Sequence, residues 1–221
     1  MTGLFEILIG IPITLLALSM HELAHGWVSF KLGDPTPKWQ GRLTLNPKAH
    51  LDFVGTIMMI FFRFGWAKPV QINSSYYKNQ TTGIALTALA GPVMNFLLGL
   101  AGGILGTFLT VAMLKFSWTD AAATTYYITQ VFVIRNICFA VFNIIPFPPL
   151  DGFKVAGVLF PQKFYYTVLK YERYIIWILI LLCFTGLFGR IITVPVSYLT
   201  NKILELAQGM FGFLLKTYGT V

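Results

Sequence analysis

The stretch His21-Glu22-Leu23-Ala24-His25 is the part of this chain best equipped for chemistry. Histidines four apart on a helix project from one face, about one turn apart, so both imidazoles can reach a single tetrahedral ion. Glu22 stands beside them, placed to take a proton from bound water rather than to ligate. Random placement of the chain's three His and four Glu yields this H-E-x-x-H spacing in fewer than about one chain in a thousand, so the pattern is specific. Its surroundings sharpen the reading, because residues 9–20 are nearly all apolar. Ionisable groups at lipid depth are costly unless a partner compensates, and a divalent cation does so. The chemistry would be hydrolysis by metal-activated water, with one Zn2+ per chain.

A catalytic zinc site takes three protein ligands and keeps one position open. His50, Asp52 and Asp151 are the candidates for the third. Asp151 has the best context: Asn143-Ile144-Ile145-Pro146-Phe147-Pro148-Pro149-Leu150-Asp151-Gly152 closes an apolar run with a proline-broken turn. Such a break brings a carboxylate into the bilayer where it lines a cavity or a site.

The elements that must position these groups are membrane helices. Of the 221 residues 56% are hydrophobic and 11% charged, too apolar for an ordinary soluble domain. A net charge of +8 raises the question of nucleic acid, but the basic residues fall in the gaps between apolar runs and form no dense tract, so no nucleic-acid partner is expected. The first apolar run, residues 4–30, carries the metal motif and is expected to remain in the mature protein. Gly33-Asp34-Pro35 stops it. Residues 36–52 read as loop and short strand. Residues 53–64 are apolar but too few to cross, which predicts a re-entrant or interfacial segment. Trp66-Ala67-Lys68-Pro69-Val70-Gln71-Ile72-Asn73 alternates like an edge strand.

Residues 84–114, 126–145 and 171–188 are read as further spans, and residues 195–215 as a segment that crosses or lies at the interface. The expected fold is an all-α polytopic membrane protein of five to six helices, with a re-entrant, β-like segment between the first and second full spans. It forms one domain over 1–221, with a catalytic core at about 4–152 and C-terminal helices at about 171–216. Gly99, Gly102, Gly103 and Gly106 predict close helix packing. Cys138 and Cys183, without metal or redox spacing, read as packing residues.

Charge bias supplies a topology. If residues 53–64 dip in without crossing, Lys31, Lys38, Arg42, Lys48, Arg63, Lys68 and Lys78 share one side with Lys154, Lys163, Lys170 and Arg173. The opposite loops keep Lys115 and Arg190. The positive-inside rule makes the first side cytoplasmic, and both histidines and Asp151 then approach from it. A full crossing by residues 53–64 would put Asp151 on the far side and prevent closure of the site. A bacterial cell membrane is the expected location.

His21 to His25, the stretch from Gly41-Arg42-Leu43-Thr44-Leu45-Asn46-Pro47 to His50, Gly91-Pro92-Val93-Met94-Asn95, and Asn143 to Gly152 occur in an order that resembles the site-2 protease family of intramembrane metalloproteases. The chain is similar to the compact bacterial form of the family, without PDZ-like or other sensory domains. The resemblance implies that Asp151 is the third ligand, that Asn143 helps bind the developing oxyanion, and that zinc sits on the cytoplasmic side of a three-helix core. It implies cleavage of transmembrane substrates within the bilayer. Phe53 stands where relatives place proline. His50 and Asn95 are further candidates for the site or its cavity, and Gln71 and Ile72 for holding an opened substrate by strand addition. Two competing classes are a small transporter or channel with intramembrane polar residues, and a proteolytically inactive zinc-binding scaffold. The oligomeric state is not legible.

Overall fold

The computed structural model describes residues 3–62 and 67–216. Nine α-helices account for most of them: α1 Gly3–Lys31, α2 Thr36–Trp39, α3 Phe53–Phe62, α4 Gln80–Lys115, α5 Thr119–Ile144, α6 Asp151–Ala156, α7 Gln162–Lys170, α8 Glu172–Phe184 and α9 Leu187–Lys216. Three of these, α1, α4 and α5, are long and apolar enough to cross a membrane. The pair α8 and α9 meets that test only together, bent by 75°. The protein is therefore a membrane protein with three such helices, or four spans if the bent pair counts as one. The five to six expected from sequence exceed this because α8 has 13 residues, about 20 Å of helix against roughly 30 Å of hydrocarbon.

The central helix is α4, which packs along α5, α1 and α9. Its small-residue stripe makes this possible. A Cβ at Gly102 would come within 2.4 Å of Phe132, one at Gly103 within 2.7 Å of Ile203, and one at Gly106 within 2.0 Å of Thr129. Apolar packing fills in below the stripe. Val133 and Ile137 of α5 meet Leu150, Leu179 of α8, and Phe188, Ile192, Val196, Ile203 and Leu204 of α9. Outward faces carry large apolar side chains such as Leu97, Leu105, Trp177 and Ile191, as expected where lipid is the solvent. Cys183 packs against the apolar cluster, whereas Cys138 faces outward on α5, so the expectation of packing holds for Cys183 alone.

The loop between α1 and α4 departs from the expected short strands. Among the described residues there is no strand, only an isolated antiparallel bridge between Leu51 and Ala67. In their place stand α2, a 3-10 turn at Pro47–Ala49 capped by Asn46, the ten-residue α3, and a second 3-10 turn at Ser74–Tyr76. Prolines at 35, 37, 47 and 69 deny ladder donors to this region, which explains why extended backbone stays unpaired. Trp66 and residues 63–65 lie outside the described residues. At about 15 Å, α3 is half the length needed to cross.

Candidate metal centre

On α1, His21 and His25 are one turn apart and both buried, their rings 4.5 Å apart and nearly perpendicular. The third group arrives from far along the chain. The turn after α5 contains Pro146, Pro148 and Pro149, and α6 begins at Asp151. Gly152 allows this start: a Cβ there would lie 2.1 Å from the carbonyl oxygen of Ile144 and 2.5 Å from that of Ile145. Asp151 is thereby held in reach of α1, with its Oδ2 3.1 Å from His21 Nε2 and 3.1 Å from His25 Nε2. His50 and Asp52, the other candidates for third ligand, are not in this cluster.

The donor set fits a zinc ion. Ligand atoms about 2.05 Å from a tetrahedral centre stand about 3.3 Å apart, close to both observed separations. Both imidazoles are also turned the right way. His21 Nδ1 donates to Asn95 Oδ1 at 2.6 Å and His25 Nδ1 donates to the Thr87 carbonyl at 2.7 Å, which leaves each Nε2 lone pair facing Asp151. A further sign is the missing side chain at Gly91 of α4. A Cβ there would sit 2.5 Å from His21 Cε1, 2.5 Å from His25 Nε2 and 2.6 Å from His21 Nε2, so only glycine leaves room at the ligand atoms.

The partners on α4 follow from its sequence. Pro92 has no N–H for the Ala88 carbonyl one turn back, and the neighbouring Thr87 carbonyl, which has two lone pairs, accepts from His25 Nδ1. Asn95 is fully buried and spends both ends of its amide. Its Oδ1 meets His21, while Nδ2 donates to the Ala17 carbonyl at 3.0 Å and to Asn136 Oδ1 at 3.2 Å. Asn136 in turn donates to the Phe132 carbonyl at 2.9 Å, which fixes which way both amides face.

A cavity of about 340 Å3 opens beside the three ligands. Glu22, Asn143, Lys154 and Thr87 line it with Leu18, Phe139, Phe142, Leu150 and Ile176, and Pro69, Val70 and Ile72 form a rim. Glu22 Oε2 accepts the Val70 N–H at 2.9 Å. Asn143 donates to the Phe139 carbonyl of its own helix at 3.1 Å. Gln71 lies on the same rim segment and its side chain accepts from Gln40 at 2.9 Å. His50 is fully buried outside the cavity wall, with Nε2 at 2.9 Å from the Thr44 carbonyl and its own carbonyl accepting from Lys68 N–H at 2.8 Å.

Sequence reasoning did not find four residues. Thr87 acts through its main chain, which leaves no mark on residue type. Asn136 is a polar residue inside an apolar run and was visible on that ground. Lys154, with Nζ 3.4 Å from Asp151 Oδ1, sits one turn after a candidate ligand. Asp34 reads as part of a helix stop, yet it is fully buried. Burial would raise its carboxyl, but hydrogen bonds from Thr36, Asn73 and Ser29 outweigh that and hold it below the ordinary carboxylate value.

Comparison with known proteins gives one strong similarity. A Bacillus subtilis (strain 168) protein named "Putative zinc metalloprotease YwhC" is 36% identical over 204 residues, spanning 91% of this chain and 91% of its own. No family model matches the sequence. No solved structure matches it.

Proposed function

Since this chain belongs to the zinc metalloprotease family that includes the Bacillus subtilis protein YwhC, we propose that it is an intramembrane protease of the site-2 type, hydrolysing peptide bonds in or near the transmembrane segments of membrane proteins. The observation that carries this reading is the buried His21, His25 and Asp151 cluster, set with Glu22 beside an apolar cavity among membrane helices.

His21 Nε2, His25 Nε2 and Asp151 would hold the zinc ion, which when bound would supply Lewis acidity toward the scissile carbonyl and the attacking water. Glu22 takes the proton of the attacking water and returns it to the leaving amine as the C–N bond breaks. Asn143 has a second amide N–H beyond the one given to Phe139, and donates it to the developing oxyanion. Asn95 and the Thr87 carbonyl keep the imidazoles in one tautomer throughout.

A helical peptide bond is covered by its neighbours, so the substrate unwinds before it is cut. The main chain at Gln71 and Ile72 receives the opened segment by strand addition. We place the site on the cytoplasmic side of a bacterial cell membrane, with α3 dipping in and returning, because the loops on that side hold most of the basic residues. Regulated cleavage of single-span proteins is the corresponding role.

The test is purified protein in proteoliposomes with a single-span substrate, comparing wild type, Glu22→Gln and chelator treatment followed by zinc. Wild type should cleave, the variant should lose activity by about 10²-fold or more while keeping zinc, and zinc should restore the chelated enzyme. Cleavage that survives Glu22→Gln, or metal flux across the vesicle without cleavage, would overturn the assignment.

A further inference from the structure

Two charged side chains outside the cavity are buried without an oppositely charged partner. Asp34 is 0% exposed and Arg42 5%, and among the described residues neither forms a salt bridge. Each follows a glycine in the left-handed region, Gly33 at φ 109° and Gly41 at φ 65°, which turns the chain inward at that point. Burying an ion costs several kcal/mol unless dipoles replace its water. Here peptide groups do so. Asp34 Oδ2 accepts from Asn73 N–H at 2.7 Å and the Ser29 hydroxyl at 2.8 Å, while Oδ1 accepts from Thr36 N–H at 2.9 Å. Arg42 donates to the carbonyls of Ala49, Lys68 and Pro69, the last two at 3.2 and 3.5 Å.

The two ions thus hold opposite ends of one short segment, residues 68–73. Arg42 holds its first two carbonyls and Asp34 its last amide. Between them Val70 donates to Glu22, and Pro69, Val70 and Ile72 border the cavity. We propose that Asp34 and Arg42 are positioning residues that clamp this segment, fixing the main chain against which substrate is laid relative to Glu22. The proposal rests on the proteolytic reading given above. Neither residue lines the cavity, so both act through the rim's backbone.

The experiment compares wild type, Asp34→Asn, Arg42→Gln and Arg42→Lys in the same proteoliposomes with the same single-span substrate. It reads KM, kcat, zinc content and amide hydrogen exchange of peptides covering residues 67–73. Asp34→Asn and Arg42→Gln should each raise KM roughly fivefold or more, with kcat within about twofold and zinc unchanged, as loss of uniform binding requires. Exchange over the rim should speed up about tenfold. Arg42→Lys keeps the charge but loses the planar fork, and should raise KM too, which preserves the test if a charge-removing variant does not fold. A fall in kcat at constant KM, the mark of a smaller active fraction, or unchanged exchange in a folded variant, would overturn the clamp. A wild type that cleaves nothing sinks the proteolytic reading itself, an outcome distinct from failure of the variants against an active enzyme.

Discussion

At the level of single side chains, the site is a matter of which nitrogen faces which oxygen. Asn95 determines this for His21, because its Oδ1 can only accept, so the imidazole must present Nδ1–H there and a lone pair at Nε2. Asn95→Ala should therefore weaken zinc about 10- to 100-fold, measured by competition with a metal indicator, without unfolding the protein. Asp34 makes a prediction with a sign. Its carboxyl lies below the ordinary value of 3.8 in the folded protein, so it contributes stability above about pH 4, and this is lost as pH falls through the depressed value. Asp34→Asn, which leaves buried N–H donors short of an acceptor, should lower stability at pH 7 by about 1 to 3 kcal/mol. The gap between the two proteins should then narrow as pH falls below about 4 in thermal melts. The H-E-x-x-H spacing was enough to put His21 and His25 together on one helix face with Glu22 beside them, since side-chain type and helical period are both written in sequence. The acceptors for their Nδ1 atoms were not equally visible. One is an amide whose use as a simple helix-to-helix bond reads the same way, and the other is a main-chain carbonyl.

Among elements, α4 serves as the floor of the metal site by coming close at one residue. Gly91→Ala inserts a methyl group 2.5 Å from two imidazole atoms, and α1 and α4 must separate to admit it. Zinc stoichiometry should fall from about one toward zero per chain, while the helical circular dichroism signal is kept, since overpacking at one point costs about 1–3 kcal/mol. The rim gives a second prediction. Ile72→Pro removes a main-chain donor at the proposed docking edge, so cleavage should fall at least about tenfold with zinc content unchanged, and unchanged cleavage would count against strand addition there. The long helices were legible from run length and apolar content, and α1 ends beside the glycine stop that sequence indicates. The alternation in residues 66–73 instead suggested a strand. Alternation reports which side chains face inward, and in this rim the Lys68 carbonyl, the Val70 N–H and the Asn73 N–H are engaged by Arg42, Glu22 and Asp34 in place of a neighbouring strand.

For the whole molecule, the candidate metal site joins pieces that are distant in sequence: α1 and α6 bring together His21 and Asp151, 130 residues apart, and α4 closes the space between them. Ligand binding to the folded state stabilises it by mass action, about 2.7 kcal/mol at a free concentration 100 times Kd. Removing zinc with a chelator should accordingly lower Tm, zinc should restore it, and Glu22→Gln should show the same shift because Glu22 is not among the ligands. The span count was the least legible feature. Apolar run length does not reveal a 75° break, so residues 171–188 read as a crossing in sequence and 195–215 as one that crosses or lies at the interface, whereas α8 and α9 together amount to one at most.

The grip of Arg42 and Asp34 on carbonyls and amides, rather than on side chains, has an evolutionary corollary. Lys68 and Gln71 are exposed, so their identities are free to drift while the edge keeps its shape, whereas Asn73 caps the turn at Ser74–Tyr76 through Ser75 N–H. Randomised libraries at Lys68 and Gln71 should yield folded, zinc-loaded proteins at high frequency, and on the proteolytic reading proposed above a new substrate is accommodated there with the metal ligands untouched.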